Sequence, residues 1–243
     1  MELQREVKIK YLTNCAVFME YGTAGILADG IFSGKQPFNL MDEETEEQIM
    51  SSRGIFKNLR YILVTHCHND HYNGSKILRF LENHPDATLV VPGNARLDEE
   101  KLALLGNRVI FLDAPAGKPG TLDFGQFKVQ YMRVQHLTYR YPNHYCYNIL
   151  AGDTNILLTA DMDVERIDQL SAFARRKRAV GFFCHIFLWH RKWRKQLADL
   201  NCSELYFYHL PDEDRDRYGY RKKTLIYWKK YGKDLAKAKL LGD

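Results

Sequence analysis

Three histidines and one aspartate fall within six consecutive positions, His66-Cys67-His68-Asn69-Asp70-His71. Imidazole nitrogens and carboxylate oxygens are the donors that a zinc-type cation takes from a protein. His66 and His68 are two apart, so an extended backbone turns both to one side. Asp70 and His71 are adjacent, and a turn there aims them at a second point nearby. The run therefore offers two ligand sets, which is what a pair of water-activating cations requires. The competing reading is a chance gathering of surface histidines. With nine His in 243 residues, three in one such window directly after an apolar run are not a chance pattern. Cys67 lies between two ligands and faces away from them by alternation, so it is expected to be neither ligand nor nucleophile.

The elements that must hold this run follow from the patterning. Tyr61–Val64 is a short apolar stretch that reads as a buried strand, which puts the cluster at a strand's C-terminal end. Before it, Val7–Leu12, Ala16–Tyr21 and Gly25–Ala28 read as strands, and Met41–Ser52 as a solvated helix. After it, Ser75–Asn83 and Asn94–Leu105 read as helices around a strand at Ala87–Val91. The second half repeats the mixture. Strands are expected at Val109–Leu112, Gln126–Val134, Tyr145–Leu150, Ile156–Thr159, Val180–Cys184 and Leu205–Tyr208. Helices are expected at Val164–Arg175, Arg191–Leu200 and, interrupted near Gly232, Tyr220–Leu241. Two blocks of strands with flanking helices predict an α/β fold, a four-layer αββα sandwich of two mixed sheets between helices, over residues 1–243 as one domain.

Composition excludes several classes. Hydrophobic residues make up 45% of the chain and charged residues 27%, enough for both a core and a solvated surface. The net charge of +5 suits an anionic substrate and falls short of a dedicated nucleic-acid binder. Five cysteines with no C-x-x-C pair fit a reducing compartment better than a disulfide scaffold. The first ten residues are too charged for a secretory leader, and no apolar run spans a bilayer. These features predict a cytoplasmic protein that does not engage a membrane.

Thr65-His66-Cys67-His68-Asn69-Asp70-His71 resembles the H-x-H-x-D-H signature of the metallo-β-lactamase fold superfamily. The resemblance covers nearly the whole chain. Ile26-Leu27-Ala28-Asp29-Gly30 is similar to that family's early strand ending in Asp-Gly. His136, Asp161 and His209 stand where its later motifs stand, in the same order and each just beyond a predicted strand. The resemblance implies that His66, His68 and His136 hold one metal and that Asp70, His71 and His209 hold a second. Asp161 would bridge the two, and Asp29 would orient the site without ligating. It implies two divalent ions, zinc first, with manganese or iron as alternatives. A metal lowers the pKa of bound water to about 7, and Asp70 could also accept the proton of the attacking water.

Each distant ligand has a plainer alternative. His136 could bond to backbone, and Asp161 could cap the helix starting near Val164. His185 and His190 compete with His209; the first reads as a core histidine, the second as a surface one. His84 and His144 read as loop residues, with His144 a weak candidate for substrate contact. Tyr139, Arg140 and Tyr141 follow His136 and are further weak candidates for substrate binding. Two departures from the family pattern stand out. Leu137-Thr138-Tyr139 replaces a Gly- and Pro-rich stretch, and Ala160 replaces a Gly.

The function expected is metal-dependent hydrolysis of an ester, lactone, thioester or phosphodiester in a small or medium, anionic substrate. A mononuclear iron oxygenase on the same fold is one alternative. An RNA-binding or scaffold protein with a structural metal is another. The second rests on the basic segment Tyr220–Leu241, whose more economical reading packs Tyr227 and Trp228 inward and its lysines outward. Trp189 and Trp193 likewise read as packing residues.

Overall fold

Short runs rich in β-branched and aromatic residues, separated by Gly, Asn and Asp turns, become strands throughout the computed structural model, which describes residues 6–138, 143–235 and 237–242. The chain forms two compact units. One comprises Met1–Lys35 and Leu40–Asp113, the other Gln36–Asn39 and Ala114–Asp243.

The first unit is built on a six-stranded sheet in sequence order: β1 (Lys8–Thr13), β2 (Ala16–Tyr21), β3 (Ala24–Ala28), β4 (Leu59–Leu63), β5 (Thr88–Pro92) and β6 (Val109–Leu112). β1, β2 and β3 pair antiparallel, and β3 to β6 pair parallel. Three helices belong to this unit: α1 (Glu43–Met50), α2 (Gly74–Asn83) and α3 (Glu99–Leu105). α2 buries Ile77, Leu78, Phe80 and Leu81 against Leu27, Ile62, Val64, Leu89 and Val91 of the parallel strands. Each such side chain contributes about 1.5–3 kcal/mol. Asn73 starts α2. Its Oδ1 accepts the Lys76 N–H at 3.0 Å while its Nδ2 donates to Ser33 Oγ at 2.7 Å.

The second unit holds a seven-stranded sheet. In chain order its strands are β7 (Pro119–Asp123), β8 (Lys128–Val134), β9 (His144–Ala151), β10 (Thr154–Leu158), β11 (Arg178–Cys184), β12 (Glu204–Tyr208) and β13 (Ala238–Leu240). β7 to β10 form an antiparallel meander, and β10 to β13 run parallel. Its helices are α4 (Arg191–Asp199) and α5 (Tyr220–Tyr231). Each unit is thus a mixed sheet with helices, an antiparallel meander leading into parallel strands.

Three elements differ from the sequence reading. Val164–Ala172 is a 3-10 helix. Its buried Val164, Ile167 and Leu170 recur every three residues, the repeat of a 3-10 turn, so they share one face there. The expected terminal helix stops at Tyr231, and Ala238–Leu240 instead pairs with β12 as a short edge strand. Gly232 marks the break: a Cβ there would lie 2.6 Å from the Trp228 ring. The sequence reading missed β7, an edge strand whose Pro119 sits at its first residue, where a missing N–H is tolerated. α5 packs Tyr227 and Trp228 against the core while Lys222, Lys223, Lys229 and Lys230 are exposed. No helix among the described residues is long and apolar enough to cross a membrane.

The charge divides unevenly. The first unit carries 12 Lys and Arg against 16 Asp and Glu, the second 23 against 14. The surplus of +5 is therefore the sum of an acidic body (−4) and a basic one (+9).

Replacing the α2 cap, Asn73→Ala, is expected to destabilise the protein by about 0.5–2 kcal/mol, read by urea denaturation. Asn73→Ser is expected to recover most of the loss because it can still accept the Lys76 N–H.

Candidate metal centre

The site residues of the first unit hang from two parallel strand ends. β3 and β4 are in register at Ala28 and Leu63, and the Asp29 N–H donates to the Leu63 carbonyl at 2.9 Å. The Asp29 backbone then turns into the left-handed region, φ 47°, and its side chain meets the loop after β4. Asp29 Oδ1 accepts the Thr65 N–H at 2.8 Å, and Oδ2 accepts the Thr65 hydroxyl at 2.6 Å. Oδ2 also lies 2.8 Å from His71 Nδ1. That contact assigns the ring proton to Nδ1, leaving Nε2 as the donor atom for a metal. His71 Nε2 lies 3.7 Å from Asp70 Oδ2.

The first pair of histidines is equally constrained. Thr65 Oγ1 gives its proton to Asp29 and stands 3.2 Å from His66 Nδ1, so it can accept the proton of that nitrogen. His66 Nε2 then faces His68 Nδ1 at 2.8 Å. Two nitrogens from residues two apart converge on one point, as the extended spacing requires. His66, His68, Asp70 and His71 are all buried.

The second unit brings together the three residues that the sequence spread over more than 70 positions. Leu137 N donates to the Asp161 carbonyl and Asp163 N to the Gln135 carbonyl, each at 2.8 Å, which locks His136 opposite Met162. Asp161 follows β10 and His209 follows β12. One Asp161 oxygen, Oδ2, lies 3.4 Å from His136 Nε2; the other, Oδ1, lies 3.1 Å from His209 Nε2. Two donors sharing a tetrahedral cation with bonds of about 2.0–2.1 Å stand roughly 3.3 Å apart. The carboxylate therefore offers one oxygen towards each imidazole. The cap of the following 3-10 helix is Asp163, whose side chain accepts the Glu165 N–H, so Asp161 is spared that duty. The donors in both units are imidazole and carboxylate groups, a chemistry that fits a divalent metal such as zinc, manganese or iron.

The Ala160 departure has a local explanation. Ala160 has φ 43°, a conformation that favours Gly. Its N–H donates to the Tyr208 hydroxyl at 2.7 Å, which holds the turn from the side of β12.

The remaining candidates divide. His144, read as a loop residue, opens β9, is fully buried, and has its ring 5.6 Å from that of His136. The sequence misplaced it because the strand begins one residue earlier than its apolar run. Tyr139, Arg140 and Tyr141 lie outside the described residues. His190 is exposed, and His84 hydrogen-bonds the Met50 carbonyl at 3.0 Å. His185 is buried, and burial with the neighbouring His209 charge pushes its pKa down to about 3, so it is neutral. Cys67 packs against the first core, and burial together with the Asp29 charge pushes its thiol up to about 12, which removes it as a nucleophile. Trp189 and Trp193 pack at the edge of the second core.

Sequence reasoning overlooked two residues. Cys15, buried in the turn between β1 and β2, has its sulfur within 4.8 Å of a His71 ring nitrogen. Nothing in its sequence neighbourhood announces this. Phe38 stacks on His209 with ring centroids 3.8 Å apart.

No protein-family model matches the chain, and no curated protein sequence does. Solved structures do. The metallo-hydrolase Igni18 from Ignicoccus hospitalis superposes with a TM-score of 0.60 at 18% identity, over 97% of this chain and 94% of that one. CmlA, a diiron β-hydroxylase from Streptomyces venezuelae, gives 0.63 at 17% identity, over 97% of this chain but 53% of CmlA. The metallo-β-lactamase fold protein YhfI from Bacillus subtilis gives 0.53 at 13% identity, over 93% and 87%. The chain has the metallo-β-lactamase fold.

Two substitutions test the supports of these donors. Asp29→Asn is expected to keep the fold and lower metal affinity about 10–100-fold, because the amide disturbs the proton placement on His71; competition with a chromogenic chelator measures this. Tyr208→Phe leaves the buried Ala160 N–H without its acceptor and is expected to cost about 1–3 kcal/mol of stability in chemical denaturation.

Proposed function

We propose that this chain is a hydrolase dependent on a dinuclear metal centre, and that residues 1–243 act as one catalytic domain. Asp161 carries the reading, because its two oxygens are presented separately to His136 and His209. In this proposal His66, His68 and His136 hold one ion, Asp70, His71 and His209 hold the other, and Asp161 bridges. Zinc is the first choice among the ions. Such ions supply a Lewis acid and lower the pKa of bound water to about 7. The chain's own residues do the rest. Asp29 and Thr65 fix which nitrogens of His71 and His66 carry protons. Asp70 is the carboxylate assigned to take the proton of the attacking water. The net +9 of the second unit draws in an anionic ester, lactone, thioester or phosphodiester. A reducing, cytoplasmic setting belongs to the same proposal, since none of the five cysteines is in a disulfide.

The diiron hydroxylase among the structural neighbours motivates a second reading, an iron oxygenase on this scaffold. Metal analysis and oxygen consumption separate the two. The hydrolase reading expects hydrolysis without oxygen uptake, abolished by chelation and restored by zinc or manganese. Iron in the purified protein with oxygen consumed in step with turnover would overturn it.

His68→Ala is expected to lose metal and hydrolysis together while its circular dichroism stays native-like. Activity of that variant at the rate of the unaltered protein would refute the ligand assignment.

A further inference from the structure

The ring of His209 begins a row of aromatic rings within the second unit. Phe38 stacks on it at 3.8 Å with the planes 26° apart. Tyr220 follows, 6.5 Å from Phe38 at 29°, and then Tyr218, 5.6 Å from Tyr220 at 38°. The row leads outward from a histidine that is 1% exposed to a tyrosine that is 57% exposed. The guanidinium of Arg217 sits 4.8 Å over the Tyr218 ring.

Core packing accounts for the inner part of this row, where Tyr220 also lies 6.1 Å from the Trp189 ring, but not for its outer end. A tyrosine with more than half its surface in water contributes little burial where it stands. Phe38 is also held in place by polar contacts. Its carbonyl accepts Arg215 Nε–H, and the side chain of Asn39 accepts the Asp212 N–H, both at 2.8 Å. Behind the row lies His185, 1% exposed, with its ring 5.9 Å from Tyr220. Stacked rings and a cation at the outer end suit a flat ligand with a negative charge.

We propose that Phe38, Tyr218 and Tyr220 form a binding track for a planar aromatic ring carried by an anionic substrate, with Arg217 at its outer end and His209 at its inner end. The inference rests on the metal-dependent reading of His209 and narrows its substrate class. Aliphatic anions of the same charge would find the cation but no stacking partner.

The test uses zinc-loaded, full-length protein and two probes, phenylphosphonate and methylphosphonate, titrated by calorimetry. Phenylphosphonate is expected to bind at least tenfold more tightly. Tyr218→Ala is expected to reduce that preference to under threefold, and Tyr218→Phe to restore it, because the ring face and not the hydroxyl is used. Equal affinities in the unaltered protein, no binding of either probe, or a preference unchanged in Tyr218→Ala would each overturn the proposal. Metal content measured on the same samples keeps the two readings apart. Zinc-loaded protein that prefers the phenyl probe but hydrolyses none of the ester, lactone, thioester or phosphodiester substrates sustains the track and counts against the hydrolase. Zinc-loaded, hydrolytically active protein without the preference does the reverse.

Discussion

The Asp29 carboxylate is the contact on which the first unit's site depends. It is 2% exposed and meets the Thr65 N–H, the Thr65 hydroxyl and the His71 ring at 2.6–2.8 Å. A carboxylate this deep is tolerated only when such partners surround it. The register of β3 on β4 supplies them, since Ala28 opposite Leu63 puts Asp29, directly after β3, within reach of Thr65, two residues past β4. Through Thr65 the same carboxylate also governs His66. One acidic side chain thereby sets the proton positions of two imidazoles.

A second constraint runs through both units. Asp29, Ala160 and His209 all lie in the left-handed region, at φ 47°, 43° and 62°. Each comes at or just after a strand's end. The conformation costs an ordinary residue about 1–2 kcal/mol. It stops the strand abruptly and lets the next side chain leave the pleat, which is how donors from several strands can be aimed without long loops. At Ala160 the hydrogen bond from its N–H to the Tyr208 hydroxyl offsets part of that cost.

The sequence made the local half of the site legible and left the distant half to resemblance. His66 to His71 lie within six positions, and their pairing follows from backbone alternation and a turn. His136, Asp161 and His209 stand far apart, and only the order of strands and family motifs linked them. The sheets were legible because most strands are apolar and bounded by turn residues. β7 and β13 were not, since both are edge strands whose pairing comes from neighbours rather than from their own pattern. The helix expected from Val164 forms as a 3-10 helix that ends at Ala172, in keeping with its strict spacing of three. Cys15 and Phe38 carried no local signal at all, because their importance comes from residues far away in the chain.

Phe38 has a consequence for the order in which the protein is made. Its segment belongs to the second unit, yet the bonds that hold it, to Asp212 and Arg215, span 173 and 177 residues of sequence. A ribosome adding about 5–20 residues per second takes roughly 9–35 s to cover that distance. Through that interval the Gln36–Asn39 segment has left the tunnel and its partners have not. The cover over the His209 ring is among the last native contacts that synthesis allows to form, so nascent chains pass through a stage in which the first unit's candidate donors exist without His209.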